Sequence, residues 1–354
     1  MRILVTGGAG FIGSNLVRLL LSSGHDVLNI DKLTYAGNRN SLADCELNRR
    51  YSFAQIDIVN LEPLRQTLLG FKPDGVMHLA AESHVDRSID NPGEFIQTNV
   101  VGTLNLLVAS MAHYKTLQPS SASNFRFLHV STDEVYGSLG KEGAFTEQTR
   151  YDPHSPYSAS KASSDHLARA WFSTYGLPVI VTNCSNNYGP FQFPEKLIPV
   201  AVLKCLFGDK IPIYGTGENV RDWLYVEDHC LALQLVLANG KPGETYNIGG
   251  NNELSNLELA TMLCSILDDL QPRSCGGRYK DLIEFVKDRP GHDFRYAIDA
   301  SKIQKELGWT PTQDRRSGLL RTVQWYLKHE DWWRPLIRQN ATLKRLGTES
   351  QLEA

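Results

Sequence analysis

Two acidic residues, Asp133 and Glu134, follow directly on an apolar run from Phe125 to Val130. Such a run predicts a buried strand, on which neighbouring side chains point to opposite faces. Two like charges at the end of a buried strand cost free energy. Two carboxyl groups whose pKa values are pushed apart can serve as acid and base on one substrate. The alternative is a solvated loop without a chemical task.

A second reactive pair is formed by Tyr157 and Lys161, four positions apart in a predicted helix and therefore on one face. The pKa of a free tyrosine is about 10, too high for a base at neutral pH. A nearby ammonium group and a positively charged nicotinamide would both stabilise the phenolate and lower this pKa. The pair could then take a proton from an alcohol or sugar hydroxyl while hydride leaves the same carbon. Thr132 could hydrogen-bond to the same oxygen.

Three glycines, Gly7, Gly10 and Gly13, lie between a first apolar run and a helical pattern. Glycines in such a turn let the backbone approach a pyrophosphate, and the helix N-terminus supplies partial positive charge. Asp31 ends the second predicted strand, where an acid accepts hydrogen bonds from ribose hydroxyls and repels a 2′-phosphate. The pattern predicts NAD rather than NADP as cofactor, against the alternative of a plain structural turn.

Further cofactor contacts are expected around this turn. Asp57 and Ile58 end the third predicted strand and could hold the adenine edge. Phe11 and Ile12 lie within the glycine segment, and Ala80 ends the fourth predicted strand. We expect all of them beside the dinucleotide.

The first half of the chain alternates strand and helix patterns, as βαβ units do. The two longest predicted helices lie near residues 94–113 and 155–175. The predicted strands are RILVTG, DVLNID, YSFAQIDI, GVMHLAA, FRFLHVSTDEVYG and PVIVTNCSN. This alternation predicts an α/β protein with a Rossmann-type, doubly wound parallel sheet and helices on both faces.

After about Asn186, proline and aromatic residues become frequent and the alternation loosens. We expect an NAD-binding domain over residues 1–186 and a smaller α/β nucleotide-sugar-binding domain over residues 187–354. Segments around 222–248 are expected to return to the first domain. Two segments have no assigned role: residues 271–280, with the composition of a variable surface loop, and the polar tail 339–354.

Composition narrows the classes of function. The chain has 354 residues, 42% of them hydrophobic and 21% charged, and a net charge of −3, so nothing favours a nucleic-acid partner. Six cysteines are scattered without metal-ligand spacing, and no metal site is expected. The N-terminal residues lack a signal-peptide pattern, and no uninterrupted apolar run of about 18 residues predicts a membrane span. These features favour a cytoplasmic protein.

Several segments together resemble the extended short-chain dehydrogenase/reductase superfamily over essentially the whole chain. The matching segments are TGGAGFIG, HLAAESHVDRS, TNVVGTLNLL, STDEVYG, YSASKASSDHL and NNYGPFQFPEKLIP. They are similar to nucleotide-sugar enzymes and, more narrowly, to the dTDP-glucose 4,6-dehydratases. The resemblance implies tightly bound NAD⁺ that is regenerated in each cycle, and dTDP-glucose as the small-molecule substrate.

The resemblance also implies roles for the residues around the two acids. Oxidation at C4 of a hexose acidifies the C5 proton, and loss of that proton with protonation of the C6 hydroxyl eliminates water. Glu134 matches the base at C5 and Asp133 the acid at the C6 hydroxyl. Tyr157 matches the base at O4, helped by Lys161 and Thr132. Related 4-epimerases carry small neutral residues instead of the two acids, and GDP-mannose dehydratases carry a serine before the glutamate.

The binding site for the nucleotide sugar follows from the same resemblance. Arginine suits a diphosphate because it forms bidentate hydrogen bonds. The implied diphosphate ligands are Arg221, Arg289 and Asn187, with His292 and Arg295 nearby. The other implied contacts are Pro212 and Tyr214 with the base, Asn256 with its sugar, and His84 and Lys196 with glucose or phosphate. For each of them the alternative is a surface charge or a helix cap.

The two long helices pair across a two-fold axis in the superfamily. The resemblance therefore implies a homodimer through residues near 94–113 and 155–175, although the same pattern suits packing within one chain.

Three functions stay open on the sequence. The first is a hydro-lyase that feeds deoxysugar synthesis, such as rhamnose for surface polysaccharide. The second is a nucleotide-sugar 4-epimerase, or a dehydratase for another nucleotide sugar. The third is a non-catalytic NAD-binding regulator, which the intact Tyr157 and Lys161 disfavour.

Overall fold

The computed structural model describes residues 1–288 and 291–340. Arg289 and the tail from residue 341 onward lie outside these residues. The strands are β1 Arg2–Thr6, β2 Asp26–Asp31, β3 Tyr51–Gln55, β4 Gly75–His78, β5 Arg126–Thr132, β6 Val179–Cys184, β7 Asn186–Tyr188, β8 Ile211–Tyr214, β9 Val220–Tyr225, β10 Thr245–Ile248, β11 Glu253–Ser255 and β12 Ile283–Val286.

Helices account for most of the remaining regular structure. The α-helices are α1 Phe11–Ser22, α2 Leu61–Phe71, α3 Val85–Asp90, α4 Pro92–Phe95, α5 Thr103–Tyr114, α6 Pro119–Asn124, α7 Pro156–Tyr175, α8 Leu197–Phe207, α9 Val226–Asn239, α10 Asn256–Leu270, α11 Ser301–Leu307, α12 Arg315–Lys328 and α13 Glu330–Asn340. Shorter helical pieces are the 3-10 turns Arg39–Leu42, Asp133–Tyr136 and Tyr279–Leu282, and the π-helical stretch Ile96–Gly102.

Seven parallel strands form the main sheet in the order β10-β6-β5-β4-β1-β2-β3. From β3 to β6 this is the order of a dinucleotide-binding sheet, whose direction of winding changes between β1 and β4. In such sheets the carboxyl ends of the strands at the change of direction border the ligand crevice. The predicted α/β fold with a Rossmann-type sheet is confirmed.

Apolar helix stripes cover both faces of this sheet. On one face α1 packs beside α9 and buries Leu16 and Leu20, four positions apart on the same side of the helix. On the other face α2, α5 and α7 pack together and bury Leu106, Leu107 and Ala168. The sheet is therefore a rigid base for residues at its carboxyl edge.

The second half of the chain forms smaller sheets and its own core. β11, β9 and β7 make a three-stranded sheet, and β12 pairs with β8. Three elements from this half lie with the main sheet instead: β10 pairs with β6, α9 packs on α1, and α11 packs on α9 and β10. β9, which begins the segment expected to return to the first domain, stays in the smaller sheet.

The continuous helical stretch Pro92–Tyr114 is apolar. Its 23 residues, with a mean hydropathy of 1.3 in the most apolar window, would suffice to cross a membrane by length and composition alone. Half of that window is buried inside the fold, and helices in the core of folded proteins pass the same test of length and composition. Polar residues such as Thr98 and Asn99 interrupt the apolar run, so the sequence pattern predicts no span here.

Candidate active site

A cavity of about 480 Å³ opens at the carboxyl ends of β1, β4, β5 and β6, and residues of the second half close it from the other side. It brings together most of the residues predicted to bind cofactor or substrate. Among the described residues named for the site in the sequence analysis, Asp57, Asp133 and Arg295 are missing from its wall, and Arg295 pairs instead with Glu253, with its Nε 2.6 Å from Glu253 Oε2. The predicted residues on the wall are Gly7, Gly10, Phe11, Ile12, Gly13, Asp31, Ile58, Ala80, His84, Thr132, Glu134, Tyr157, Lys161, Asn187, Lys196, Pro212, Tyr214, Arg221, Asn256 and His292.

The turn after β1 leaves no room for side chains. Gly7 has a φ of +74°, and a Cβ there would lie 2.7 Å from the Ala80 backbone nitrogen. A Cβ on Gly13 would lie 2.1 Å from the Gly7 carbonyl oxygen. Gly10 immediately precedes α1, so the free N–H groups of the helix start face this turn. The cradle fits the pyrophosphate of a dinucleotide.

Asp31 ends β2 at the cavity wall. Its Oδ2 accepts a hydrogen bond from the Ala9 backbone N–H at 3.0 Å, and its Oδ1 accepts one from the Leu33 N–H at 2.8 Å. Burial raises the pKa of Asp31, and the two backbone donors oppose this rise. The carboxylate is thus fixed where the ribose of a dinucleotide would meet it.

The third strand is shorter than predicted. β3 ends at Gln55, where its pairing with β2 stops opposite Asp31. Asp57 follows in a turn, accepts a hydrogen bond from the Val59 N–H at 3.1 Å, and lies 3.8 Å from Lys32 Nζ. Asp57 therefore meets the cavity through Lys32, a wall residue that the sequence analysis missed.

α7 presents Tyr157 and Lys161 to the cavity. A capping box between Ser155 and Ser158 fixes the start of this helix next to the tyrosine. Lys161 Nζ donates a hydrogen bond to the Val130 carbonyl oxygen at 2.9 Å, which ties the helix to the end of β5. Both side chains are buried, so their positions are well fixed.

The pKa of Tyr157 is shifted in the direction opposite to the sequence expectation. Burial raises it well above its ordinary value, the Glu134 carboxylate raises it further, and a hydrogen bond with Thr132 lowers it. Burial also lowers the pKa of Lys161. The chain's own groups therefore favour a neutral phenol. The positive charge of an oxidised nicotinamide would favour the phenolate and lower this pKa.

The two adjacent acids occupy different environments. β5 ends at Thr132, whose hydroxyl caps the following 3-10 turn by accepting a hydrogen bond from the Glu134 N–H at 3.3 Å. Glu134 lines the cavity. Asp133 is only 1% exposed; its Oδ1 lies 3.4 Å from Thr132 Oγ1, and its Oδ2 has no hydrogen-bond partner within the described residues.

Of the two acids predicted to act on the sugar, only Glu134 thus lies on the cavity wall, because the 3-10 turn directs Asp133 into the interior. Burial raises the pKa of Asp133 well above its ordinary value, and the charges of Glu134 and then Asp222 raise it further. Asp133 thus lies directly behind the Thr132 hydroxyl, in surroundings that favour its protonated form. One carboxyl group is therefore buried and the other lies on the wall. An acid and a base that act on one substrate need such different environments, which push their pKa values apart.

Arg221, in β9, is the predicted diphosphate ligand with the best-defined position. It is 5% exposed, and its guanidinium carbon lies 4.1 Å from the centroid of the Tyr296 ring. Its nitrogens donate hydrogen bonds to the carbonyl oxygens of Val220 at 2.7 Å and Asp293 at 2.9 Å. A buried guanidinium that lines a cavity and is fixed in this way suits an anionic ligand.

Asn187 and His292 are also held by neighbouring side chains. Asn187 Oδ1 hydrogen-bonds to His229 Nδ1 at 2.9 Å, and its Nδ2 donates to the Ser185 carbonyl oxygen at 3.0 Å. His292 Nδ1 lies 2.7 Å from Asp288 Oδ1. Both predicted ligands therefore have fixed orientations at the wall.

The residues predicted to contact the base lie together on β8 and its surroundings. Pro212 and Tyr214 belong to this strand, and the Tyr214 hydroxyl donates to Asp86 Oδ2 at 3.4 Å. The Tyr214 ring meets the ring of His292 edge to face, with centroids 6.2 Å apart. Asn256 is the first residue of α10 and shares the same cavity wall.

His84 and Lys196 approach the cavity from two loops. His84 immediately precedes α3, and Lys196 immediately precedes α8. Lys196 Nζ donates a hydrogen bond to the Ser83 carbonyl oxygen at 2.9 Å, so the two loops are joined beside the cavity.

Besides Lys32, the wall residues that were not predicted from the sequence include Cys184, Tyr296 and Glu195. Cys184 ends β6, and its place at the carboxyl end of a central strand could have indicated that it lines the site. Burial raises the pKa of this thiol to about 12, so the thiol is neutral. Tyr296 and Glu195 come from irregular segments whose local sequence carries no comparable indication.

The chain is similar to known proteins along nearly its whole length. A family described as GDP-mannose 4,6 dehydratase matches residues 4–322. The dTDP-glucose 4,6-dehydratase of Neisseria meningitidis serogroup B is 57% identical over 351 residues, which is 98% of this chain and 99% of that protein.

Solved structures show the same similarity. The crystal structure of dTDP-glucose 4,6-dehydratase from Bacillus anthracis in complex with NAD is 48% identical, with a TM-score of 0.84, and the match covers 95% of this chain and 99% of that one. The crystal structure of dTDP-glucose 4,6-dehydratase from Streptomyces venezuelae with NAD and TYD bound is 47% identical, with a TM-score of 0.86, and the match covers 95% and 100%.

Proposed function

Since the chain belongs to the family described as GDP-mannose 4,6 dehydratase, we propose that it is an NAD-dependent hydro-lyase that converts dTDP-glucose to dTDP-4-keto-6-deoxy-glucose and water. The family resemblance predicted from the sequence motifs is confirmed. Within the family, the relatives named dTDP-glucose 4,6-dehydratase support dTDP-glucose as the substrate.

One observation in the site carries the proposal. Glu134 stands on the cavity wall near Tyr157, while Asp133 is buried behind Thr132, where burial raises its pKa. Hydride transfer alone needs a base at one hydroxyl group, and the tyrosine suffices for that. The elimination of water needs a further base and a further acid, and the two carboxyl groups supply them.

NAD fits the glycine end of the cavity. Gly7, Gly10 and Gly13 would border its pyrophosphate, and Asp31 would bind its ribose. When bound, NAD takes a hydride from C4 of the sugar and returns it to C6.

The chain's own residues move the protons. Tyr157, as phenolate, accepts the O4 proton, and the ketone that results at C4 acidifies the hydrogen at C5. Glu134 removes that hydrogen as a proton. Asp133 passes its proton to the Thr132 hydroxyl, 3.4 Å away, which gives its own proton to the C6 hydroxyl, and this group leaves as water. Glu134 then returns its proton to C5. The proton gained by Tyr157 equals the one lost by Asp133, so exchange between these groups through solvent restores the starting state.

The diphosphate would lie against Arg221 and Asn187, whose orientations are fixed as described. Bidentate contact from a buried guanidinium holds the phosphates and thereby places the glucose ring between Tyr157 and Glu134. Pro212 and Tyr214 would pack against the base. The residue roles stay predictions that the variants below test.

The two rival enzymes differ from the proposal in product. A 4-epimerase would use Tyr157 and NAD and leave Asp133 and Glu134 without a task. A dehydratase for another nucleotide sugar would use both acids but bind a different base. The experiment must therefore report both elimination and the choice of base.

The direct test is incubation with dTDP-glucose, followed by mass spectrometry and by addition of alkali. The proposal predicts a product lighter by one water, which develops near-ultraviolet absorbance in alkali because it is a 4-keto-6-deoxy sugar. UDP-, GDP- and CDP-linked sugars serve as controls for the base. A product of unchanged mass would show an epimerase, and elimination only with another nucleotide sugar would refute dTDP-glucose.

We also propose a homodimer through the helices near 94–113 and 155–175. Ile96 and Val108 on the first of these helices are 46% and 36% exposed, and Tyr175 on the second is 53% exposed. Exposed apolar side chains on two helices that pack against each other suit burial in an interface. Ile96→Glu should shift the molar mass in light scattering from dimer to monomer, whereas Leu47→Glu, at a site 95% exposed, should not. A monomeric parent protein would refute the dimer.

The biological setting belongs to the same proposal. We propose a cytoplasmic enzyme whose keto-deoxy sugar product feeds deoxysugar synthesis, such as rhamnose for surface polysaccharide. A strain that lacks the protein should lose deoxysugars from its surface polysaccharide, and unchanged sugar composition would contradict this role.

A further inference from the structure

Segment 32–38, which follows β2, runs over the cofactor end of the cavity. It begins beside Asp31, and at its far end the Asn38 N–H donates a hydrogen bond to the Ala9 carbonyl oxygen at 2.9 Å. The segment therefore covers the place where the ribose of NAD would bind. Its members on the cavity wall are Lys32, Thr34, Ala36 and Gly37.

Tyr35, in the middle of this segment, contacts the other half of the molecule. Its ring meets Phe193 edge to face, with centroids 5.5 Å apart, and packs against the hydrophobic core of the second half. Its hydroxyl donates a hydrogen bond to Glu195 Oε1 at 3.2 Å. A segment of the NAD-binding half is thereby attached to the loop before α8.

Glu195 joins a third segment to this contact. Its Oε2 lies 3.3 Å from Arg87 Nε, and its side chain is 5% exposed. Arg87 belongs to α3, and its guanidinium carbon lies 3.7 Å from the centroid of the Tyr35 ring. The three side chains therefore contact one another pairwise, across three separate segments.

Because Glu195 is buried, the stability of this contact depends on the partners of its carboxyl group. Removal of a carboxylate from water costs free energy unless charged and hydrogen-bonding partners compensate. Burial raises the pKa of Glu195. The charges of Lys196 and Arg87 oppose this rise, and so does the hydrogen bond from Tyr35, which exists only while segment 32–38 is in place. Outward movement of the segment would break both the hydrogen bond and the stacking of Arg87 on Tyr35.

We propose that Tyr35, Arg87 and Glu195 form a clasp that holds segment 32–38 closed over NAD and slows its release. The inference rests on the proposed function, since it assumes NAD in the cavity. The three side chains act as positioning residues through the segment. An enzyme that regenerates its cofactor in each cycle has no need to release it, so slow release is compatible with rapid turnover.

The test measures NAD release in the absence of any sugar nucleotide. Protein carrying labelled NAD is mixed with excess unlabelled NAD, and the loss of label is followed over time for the parent, Glu195→Gln, Tyr35→Phe and the double variant. Glu46→Gln is the matched control, because it removes an arginine–glutamate pair on the exposed surface. In this pair Glu46 Oε1 lies 2.7 Å from Arg39 Nη2.

The clasp predicts release about tenfold faster from Glu195→Gln and a smaller acceleration from Tyr35→Phe. The double variant should resemble Glu195→Gln, since both substitutions remove the same contact. Glu46→Gln should release NAD at the parent's rate. If Glu195→Gln melts well below the parent, Tyr35→Phe alone decides the test.

Release at the parent's rate from Glu195→Gln, or from Tyr35→Phe where it decides, would overturn the clasp. A different result would refute the proposed reaction. A parent protein that retains NAD but leaves dTDP-glucose unchanged would refute the reaction, and the release rates would still test the clasp.

Discussion

Replacement of Gly13 by alanine tests whether the turn after β1 is built for close approach. A Cβ there would lie 2.1 Å from the Gly7 carbonyl oxygen and 2.7 Å from Gly8 Cα, well inside the separation of about 3.5 Å at which heavy atoms pack. Both contacts are with backbone, so α1 must move away from the turn. Overpacking of this kind costs about 1–3 kcal/mol, against a gain of about 0.5–1 kcal/mol from alanine in a helix.

Gly13→Ala should therefore lower the free energy of unfolding by about 0.5–2 kcal/mol and reduce the NAD content per chain. Gly70→Ala is the matched control, because Gly70 also lies in a helix but a Cβ there would meet nothing within 4 Å. It should stabilise the protein by about 0.5–1 kcal/mol and leave the NAD content unchanged. Urea unfolding and NAD extraction from the same preparations measure both quantities. A Gly13→Ala protein as stable and as fully loaded as the parent would refute the close approach.

Three other substitutions test single groups in the site. Tyr157→Phe should slow turnover by about 10²–10⁴-fold, and dTDP-glucose should no longer reduce its bound NAD; turnover near the parent's would exclude the tyrosine as base. Because burial raises the pKa of Asp133, the folded protein binds this proton more tightly than the unfolded chain, and the parent loses stability as pH rises through the raised pKa. The melting temperature of Asp133→Asn should therefore gain on the parent's as pH rises, and a constant difference would contradict the buried acid. Asp31→Asn should weaken NAD binding and narrow the preference for NAD over NADP, as titration with both cofactors would show; an unchanged preference would mean that another group selects the cofactor.

Local spacing made much of the fold and site predictable. The glycines of the first turn, Gly7 and Gly13, must lie together because a strand, a tight turn and a helix fix their distances. Tyr157 and Lys161 share a helix face, so their joint arrival at the cavity follows from the helical period. The alternating strand and helix patterns likewise indicated the parallel sheet.

Other features depend on contacts that local spacing does not encode. Tyr35 and Glu195 are separated by 160 positions in the chain and meet only because the second half folds over the first. The inward direction of Asp133 follows from a 3-10 turn that replaces the last residues of the predicted strand. The rise in the pKa of Tyr157 is mainly an effect of burial, which appears only when the whole cavity is assembled.

The central claim is that oxidation at C4 and elimination across C5 and C6 use different residues of one cavity. Mixing Glu134→Gln with dTDP-glucose in a stopped-flow spectrometer tests it most directly, because this variant keeps Tyr157 but loses the base at C5. The account predicts that reduced nicotinamide absorbance appears and persists, and that the recovered sugar has lost no water. Water loss at the parent's rate would contradict the account, and so would a failure to reduce NAD when the variant binds dTDP-glucose as tightly as the parent.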